Sequence, residues 1–471
     1  MMFAALPAVH EVLRDQEFLA ASASLADPYR TRLVRGVIAT IRHELRTEAD
    51  PTGTSPGGAV ADRTVDGARR EVIQACVREA RRLAQPFPRR VINGTGVLIH
   101  TNLGRAPLGT LPRELDLGVL SGYTDLEWDA TSQGRGDRDA ALRRQLILLT
   151  GAESALVVNN CAGALVLALA TLSGGREVLV SRSELVEIGG SFRVPEIMEA
   201  SGCRLREVGT TNRTRLGDYE RAAAGAAAFL KVHQSNFVQR GFVEQVPLAD
   251  LVVLGRRLGI PIVEDNGSGL MDGPASPELE AEPRVTASLE LGVDIVCCSA
   301  DKLFGSVQAG LIVGRAAYVD AMRAHPLYRA LRLDKVRIAL LDRSLKTHLA
   351  GGEGGTALWT AFHLPVEELE RRARTLVLPG PDTRLVRCRV VPLRAALGGG
   401  TSPDVDLAST GIELEHRDFS AEALKRRLAG RDVPIVGYVR RECCYLDLRT
   451  VFTDDYPLLQ SALNDLAATS E

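Results

Sequence analysis

Apolar residues recur at helical spacing through the first 45 positions. Leu6, Val9 and Leu13 mark a short stretch, and Leu33, Val34, Ile38, Ile41 and Leu45 mark a longer one over Tyr29–Leu45. Each is the one-sided stripe of an amphipathic helix. The run PTGTSPGGAVADRTVDGA that follows is rich in Gly, Pro, Ser and Thr and reads as a loop or linker. Val72, Ile73, Val77 and Leu83 predict another helix over Ala68–Ala84. A helical domain is therefore expected over residues 1–60, with a linker and connecting helix over 61–90. Such a unit either caps the rest of the chain or serves as a docking module.

From residue 91 the period changes. Short apolar runs at 154–158, 176–182, 203–209, 227–233, 260–265, 293–301 and 309–315 read as strands. Between them lie helical stretches such as CAGALVLALATL (161–172), FRVPEIMEASG (192–202) and LADLVVLGRRLG (248–259). This alternation predicts a large α/β domain over 91–345 with a mostly parallel sheet. Continuously apolar strands fit a sheet covered on both faces. A smaller α+β domain is expected over 346–471: a helix at Pro365–Leu376, LVRCRVVPL, a glycine-rich LGGGTSP, IELEHRD, two strands within 433–452 joined at Arg440–Glu442, and a terminal helix.

The 471 residues are 45% apolar and 25% charged, which excludes overall disorder, and eight cysteines are too sparse for a disulfide scaffold. A net charge of -2 excludes a basic whole-chain field and leaves room only for local anion-binding patches. Lysine is scarce: Lys231, Lys302, Lys335, Lys346 and Lys425 are the candidates for any chemistry that needs an amine. The start, MMFAALPAVHEVLRD, lacks a basic leader and a long apolar core. The apolar run Ala164–Leu172 is too short to span a bilayer as a helix. No Cys or His cluster has zinc spacing, so no metal is expected. A reducing cytoplasm is the expected compartment.

Three weak signals become informative together. Lys302 follows an apolar strand, at the end where open α/β sheets place ligands, and Ser299 lies three residues earlier. Singly, Lys302 reads equally well as a surface lysine. Asp265 ends the strand PIVED, and a buried aspartate there is costly unless paired. Strand alternation turns Glu264 the other way. The turn Asn159-Asn160-Cys161-Ala162-Gly163 opens a helix with small residues, which lets a phosphate reach first-turn N–H groups. Phosphate cradle, ring-nitrogen partner and amine together point to pyridoxal phosphate. His233 and Asn236, at another strand end, are placed to line the same pocket, although a lone histidine there is more often structural. Arg105, and Arg329 with Arg332 on one expected helical face, offer bidentate contacts to an oxyanion, or else face solvent.

The chain resembles the bacterial selenocysteine synthase family, the L-seryl-tRNA(Sec) selenium transferases. The stretches that carry the resemblance are INGTGVLIHTNLGRAPL (92–108), VNNCAG (158–163), SRSELVEIGGSFRVPEIM (181–198), VGTTNRTRLGDYE (208–220), KVHQSNFVQRGF (231–242), VEDNGSG (263–269), SADKLFGSVQAGLIVG (299–314) and HPLYRALRLDK (325–335). The resemblance implies a fold-type-I pyridoxal-phosphate enzyme. In it Lys302 holds the cofactor, Asp265 its ring nitrogen, and Ser299 a phosphate contact. Arg105, Arg329 and Arg332 match positions associated with the phosphate of the selenium donor, selenophosphate. The serine of seryl-tRNA(Sec) would lose its β-hydroxyl and gain selenium at that carbon. The family also implies a small N-terminal domain that recognises the tRNA, here with Arg30, Arg32, Arg35 and Arg42, and a ring of dimers, typically a homodecamer. The sequence departs from the family at Cys161 and Gly163 in the phosphate turn, at Asn266, and at Ser306-Val307 ahead of Gln308. Those departures keep two alternatives open: an eliminase for a small anionic amino compound, and a non-catalytic RNA-binding relative.

Overall fold

The computed structural model describes residues 6–48, 65–188, 192–272, 276–351, 356–377, 385–402 and 404–469. Residues 51–64 of the expected linker lie outside them. The chain divides into two compact units, Met1–Arg90 and Val91–Glu471.

Among the described residues, the first unit is built from α1 (Val9–Val12), α2 (Gln16–Ala21), α3 (Asp27–Glu48) and α4 (Val65–Ala84). Asp15 starts α2, its carboxylate accepting from Phe18 N at 2.9 Å, which satisfies an otherwise orphaned helix amide. The apolar stripes close on one another: Val12, Phe18, Val34, Ile38, Val72, Cys76, Val77 and Ala80 form a single buried core. The expected break after residue 60 is therefore not where the packing breaks, because α4 supplies half of that core.

The second unit begins with two short strands, β1 (Ile92–Asn93) and β2 (Val97–Ile99). Helix α5 (Ala140–Thr150) precedes β3 (Ser154–Val158), and α6 (Cys161–Ser173) follows it. Then come β4 (Glu177–Ser181), β5 (Arg204–Val208), β6 (Ala228–Val232), α7 (Leu248–Leu258), β7 (Ile262–Gly267), β8 (Ile295–Ser299) and β9 (Gly310–Gly314). Among the described residues, β3 to β9 form a seven-stranded sheet in the order β3-β9-β8-β7-β6-β4-β5. β9 runs antiparallel to both neighbours, and the remaining pairs are parallel.

The strands β3, β8 and β9 are buried at every position, because helices cover both faces. Alternate residues feed separate cores. Ala155, Val157, Val296 and Cys298 pack on the side of Leu142 and Leu146 from α5. Leu156, Val158, Ile295 and Cys297 pack on the side of Ala164, Leu165 and Ala168 from α6.

Helices α8 (Pro326–Leu331) and α9 (Lys335–Leu349) lead to the smaller sheet, with α10 (Val366–Val377), β10 (Val386–Gly398), β11 (Asp406–His416), α11 (Ala421–Ala429), β12 (Ile435–Val436), β13 (Tyr438–Arg440), β14 (Cys443–Asp447) and α12 (Tyr456–Ala468). This sheet has the order β13-β14-β11-β10-β2. Arg441 and Glu442, at φ 49° and 62°, make the tight turn between β13 and β14. The second unit begins at Val91, where a boundary is expected, but the expected division of that unit at 345 does not follow these sheets. Ile92 pairs with Ile435, Val97 with Ala396, and α9 runs through residue 345. Residues 92–99 thus belong in space with the C-terminal sheet.

Candidate active site

The side-chain period of two along the strands decides which groups meet. Ile262 packs in one core and Val263 in the other, so Glu264 and Asp265 point to opposite faces. Asp265 falls on the face covered by α6, together with Cys297 and Ser299. Glu264 is buried on the other face, where Ser288 is its hydrogen-bonding neighbour, and burial pushes its carboxyl up. The expected exclusion of Glu264 from the site follows from this geometry.

Asp265 is buried, and its Oδ1 accepts from the Cys161 thiol at 3.4 Å. Burial pushes its carboxyl above the usual range, against the pull of Lys302, the Cys161 thiol and His233. The thiol itself is held well up, by burial first and then by the Asp265 charge, so it stays a protonated donor. Cys161 thus touches the aspartate as well as opening the phosphate turn. Asn160 caps α6, its side-chain oxygen accepting from Gly163 N at 2.8 Å. Cys161 and Ala162 remain half-buried in the first turn, with their amides at the helix N-terminus.

Ser299 ends β8, buried, and Lys302 is buried in the turn that follows. Asn266 spends its side chain on that region's backbone. Its amide donates to Pro283 O at 3.0 Å, and its oxygen accepts from Gly269 N at 3.0 Å. Leu303 N donates to Ser268 O at 2.9 Å, which ties the Lys302 turn to the turn after β7. Ser306, a departure like Asn266, donates to Ser344 of α9 at 2.6 Å. Both departures support the turn from outside and remove none of its chemistry.

His233 sits just past β6. Its N–H donates to Asp265 O at 3.0 Å, and its Nε2 lies 3.3 Å from Glu282 Oε1. Asn236 is spent elsewhere, on Glu187 O. Arg105 adopts φ 64° and pairs through Nη1 with Asp301 Oδ2 at 2.7 Å, immediately beside Lys302. Arg329 is exposed on α8. Arg332 does not share a helical face with it, because α8 ends at Leu331 and Arg332 is extended, at φ -64° and ψ 141°. The reason is local. Arg138 draws Leu333 O with bonds of 3.0 and 2.7 Å, and Asp334 starts α9 by capping Val336 and Arg337. Arg332 Nη1 lies 3.4 Å from Glu127 Oε1, and its backbone neighbour Leu331 accepts from Asn159 N at 2.9 Å, so the segment lies across the phosphate turn.

The four expected RNA-contacting arginines divide. Arg30 lies on the buried side of α3. Its guanidinium donates to Ser22 O at 3.0 Å and Asp27 at 2.9 Å, which withdraws it from any ligand. Arg32, Arg35 and Arg42 are exposed, and Arg32 stands 5.9 Å from the Tyr29 ring centroid.

Glu413, Glu415 and Cys443 form a trio of possible metal ligands among the described residues, but Arg389 and Tyr445 already occupy the carboxylates. Among the described residues no helix is long and apolar enough to cross a membrane. None of the eight cysteines is in a disulfide.

A buried amine, a buried carboxylate whose side chain bonds only a thiol among the described residues, and first-turn amides within one face of an α/β sheet fit pyridoxal phosphate. Together with the sheet order they define a fold-type-I pyridoxal-phosphate enzyme. A solved D-glucosaminate-6-phosphate ammonia-lyase shares the fold, with a TM-score of 0.56 at 18% identity over 81% of this chain and 96% of that one. A family model described as L-seryl-tRNA selenium transferase matches residues 91–452. The L-seryl-tRNA(Sec) selenium transferase of Geobacter sulfurreducens is 40% identical over 99% of this chain and 100% of its own length. That of Moorella thermoacetica is 44% identical over 80% of this chain and 81% of its own. This chain belongs to the L-seryl-tRNA selenium transferase family.

Sequence reasoning missed Asp301, Glu282 and the residues of the LGGGTSP run. The glycine run was visible but pointed to no partner. Glu282 carried no local signal, because its burial depends on segments distant in sequence.

Proposed function

We propose that this protein converts seryl-tRNA(Sec) to selenocysteyl-tRNA(Sec) with selenophosphate as the selenium donor, in the cytoplasm, as a ring of dimers with ten subunits the expected size. The observation that carries the reading is a buried Lys302 on the turn after Ser299, beside the Asp265 face, in a chain that matches the family over residues 91–452. Bound here, pyridoxal phosphate supplies a carbonyl for amines and a ring that takes up the electrons left when a proton departs. Lys302 Nζ is the amine that holds that carbonyl. With the seryl amine bound in its stead, that nitrogen would be the base that takes up the serine α-proton. Asp265 pairs with the ring nitrogen; its raised pKa reflects a buried charge in need of a cation, which a protonated ring supplies. The Cys161 thiol orients that carboxylate from the other side. Asn160 occupies Gly163 N, which leaves the Cys161 and Ala162 amides and Ser299 to the phosphate. Arg105, Arg329 and Arg332 are assigned to the donor's phosphate, as bidentate cations suit that group. Arg32, Arg35 and Arg42 are assigned to the tRNA backbone.

Lys302→Ala should bind seryl-tRNA(Sec) and form no selenocysteyl-tRNA. Retained turnover, or turnover of a free amino acid by the wild-type protein without tRNA, would overturn this reading.

A further inference from the structure

The glycine-rich run follows β10, and at Gly400 it comes close to the Lys302 amine. A Cβ at Gly400 would stand 2.5 Å from Lys302 Nζ and 2.9 Å from its Cε, and Gly400 is at φ +81°. The positive φ favours glycine here, and a side chain at this position would also displace the lysine tip. The neighbouring Gly399 lies against Thr101, whose segment leads to Arg105.

Two residues on, the loop is fastened to the large sheet's side of the site. Ser402 Oγ donates to Glu282 Oε2. Glu282 Oε1 lies 3.3 Å from His233 Nε2, with the glutamate side chain 1% exposed. Burial pushes the Glu282 carboxyl up, but its contacts with His233, Ser268 and Ser402 outweigh that and hold it below the usual range. Glu282 is therefore a buried anion that faces an imidazole on one oxygen and a serine hydroxyl on the other. Hydrogen bonds to a charged acceptor are the stronger kind, so one hydroxyl suffices to hold a loop.

We propose that Ser402 and Glu282 form a latch that holds the glycine loop of the small sheet over Lys302, with both residues acting as positioning residues. The loop limits water around the amine and fixes its approach to the carbonyl it holds. The latch stands on the geometry alone. Its catalytic meaning rests on Lys302 being the cofactor amine.

The test uses the full-length, cofactor-free protein. Ser402→Ala, on a loop outside the buried cores, should speed hydrogen exchange of the 398–402 amides about tenfold, the scale of one lost charge-assisted bond. Lys302 should become similarly more reactive to an amine-specific reagent, read by peptide mass spectrometry across pH. Exchange over β11 and α11 should not change. Ser402→Thr, which keeps the hydroxyl, should stay close to wild type in both readouts. Unchanged exchange or unchanged Lys302 labelling in Ser402→Ala would overturn the latch, as would a Ser402→Thr protein that behaves like Ser402→Ala. Neither readout uses tRNA or cofactor, so a failed latch leaves the assigned reaction standing, and a failed reaction leaves the latch result standing.

Discussion

Two buried titratable residues make pH their test. Asp265 is buried and its carboxyl is held above its ordinary 3.8. A raised carboxyl means that the folded protein binds more protons than the unfolded one, so stability falls as pH rises from about 4 through the folded value. The cofactor-free protein carries that cost in full only above the folded value. Asp265→Asn should therefore raise its melting temperature by a few degrees while weakening cofactor binding, as calorimetry with and without pyridoxal phosphate would show. His348 has the opposite sense. Its ring stacks on Phe304 with centroids 4.2 Å apart, Nε2 lies 2.9 Å from Phe304 O, and Nδ1 is buried without a partner among the described residues. Burial lowers its pKa below the ordinary 6.5, despite the bond to Phe304 O. The folded state resists protonation, so the stability it contributes is present above 6.5 and is lost as pH falls below that value. Phe304 is two residues from Lys302, so the cofactor turn loosens with it. His348→Gln keeps a donor for Phe304 O and should flatten the slope of melting temperature between pH 7 and 5.

At the scale of elements, α3 shows how one helix divides four like residues. With about 3.6 residues per turn, Arg30 falls near the middle of the apolar stripe of Leu33, Val34, Val37, Ile38 and Ile41, whereas Arg42 flanks that stripe, Arg32 and Arg35 fall further round, and all three are exposed. Arg30→Ala should destabilise the N-terminal unit, seen by thermal melting. Arg35→Ala and Arg42→Ala should leave its melting unchanged, weaken tRNA binding, and each reduce the salt slope of binding by about one. A salt slope unchanged in both would remove α3 from the RNA surface. The arginines after α8 teach a related point: a helix that stops at Leu331 because Asp334 starts the next one splits Arg329 from Arg332.

For the whole molecule, the N-terminal unit has a core of its own, and the second unit has its cores between residues 92 and 466. Removal of residues 1–90 should leave the cofactor absorbance and the melting of the second unit intact and abolish high-affinity tRNA binding. Removal of 1–60 should behave worse, because it leaves α4 with Val72, Cys76, Val77 and Ala80 stripped of their partners and prone to associate. Equal tRNA affinity with and without residues 1–90 would move RNA recognition to the catalytic unit.

Local pattern by itself determined the inner strands of the large sheet, because segments buried on both faces must be continuously apolar. It also determined that Asp265 and Glu264 diverge, since side chains alternate along a strand, and it singled out Lys302 at a strand end. The motifs around those residues carried the family. Only the tertiary structure decided that Ile92–Ile99 completes the C-terminal sheet, that Arg30 is spent inside its own unit, that Cys161 bonds Asp265, and that Gly400 lies on Lys302. Each of these joins residues distant along the chain or sets a side chain against its own backbone. Periodicity reports which face a residue occupies and carries no information about which other segment covers that face.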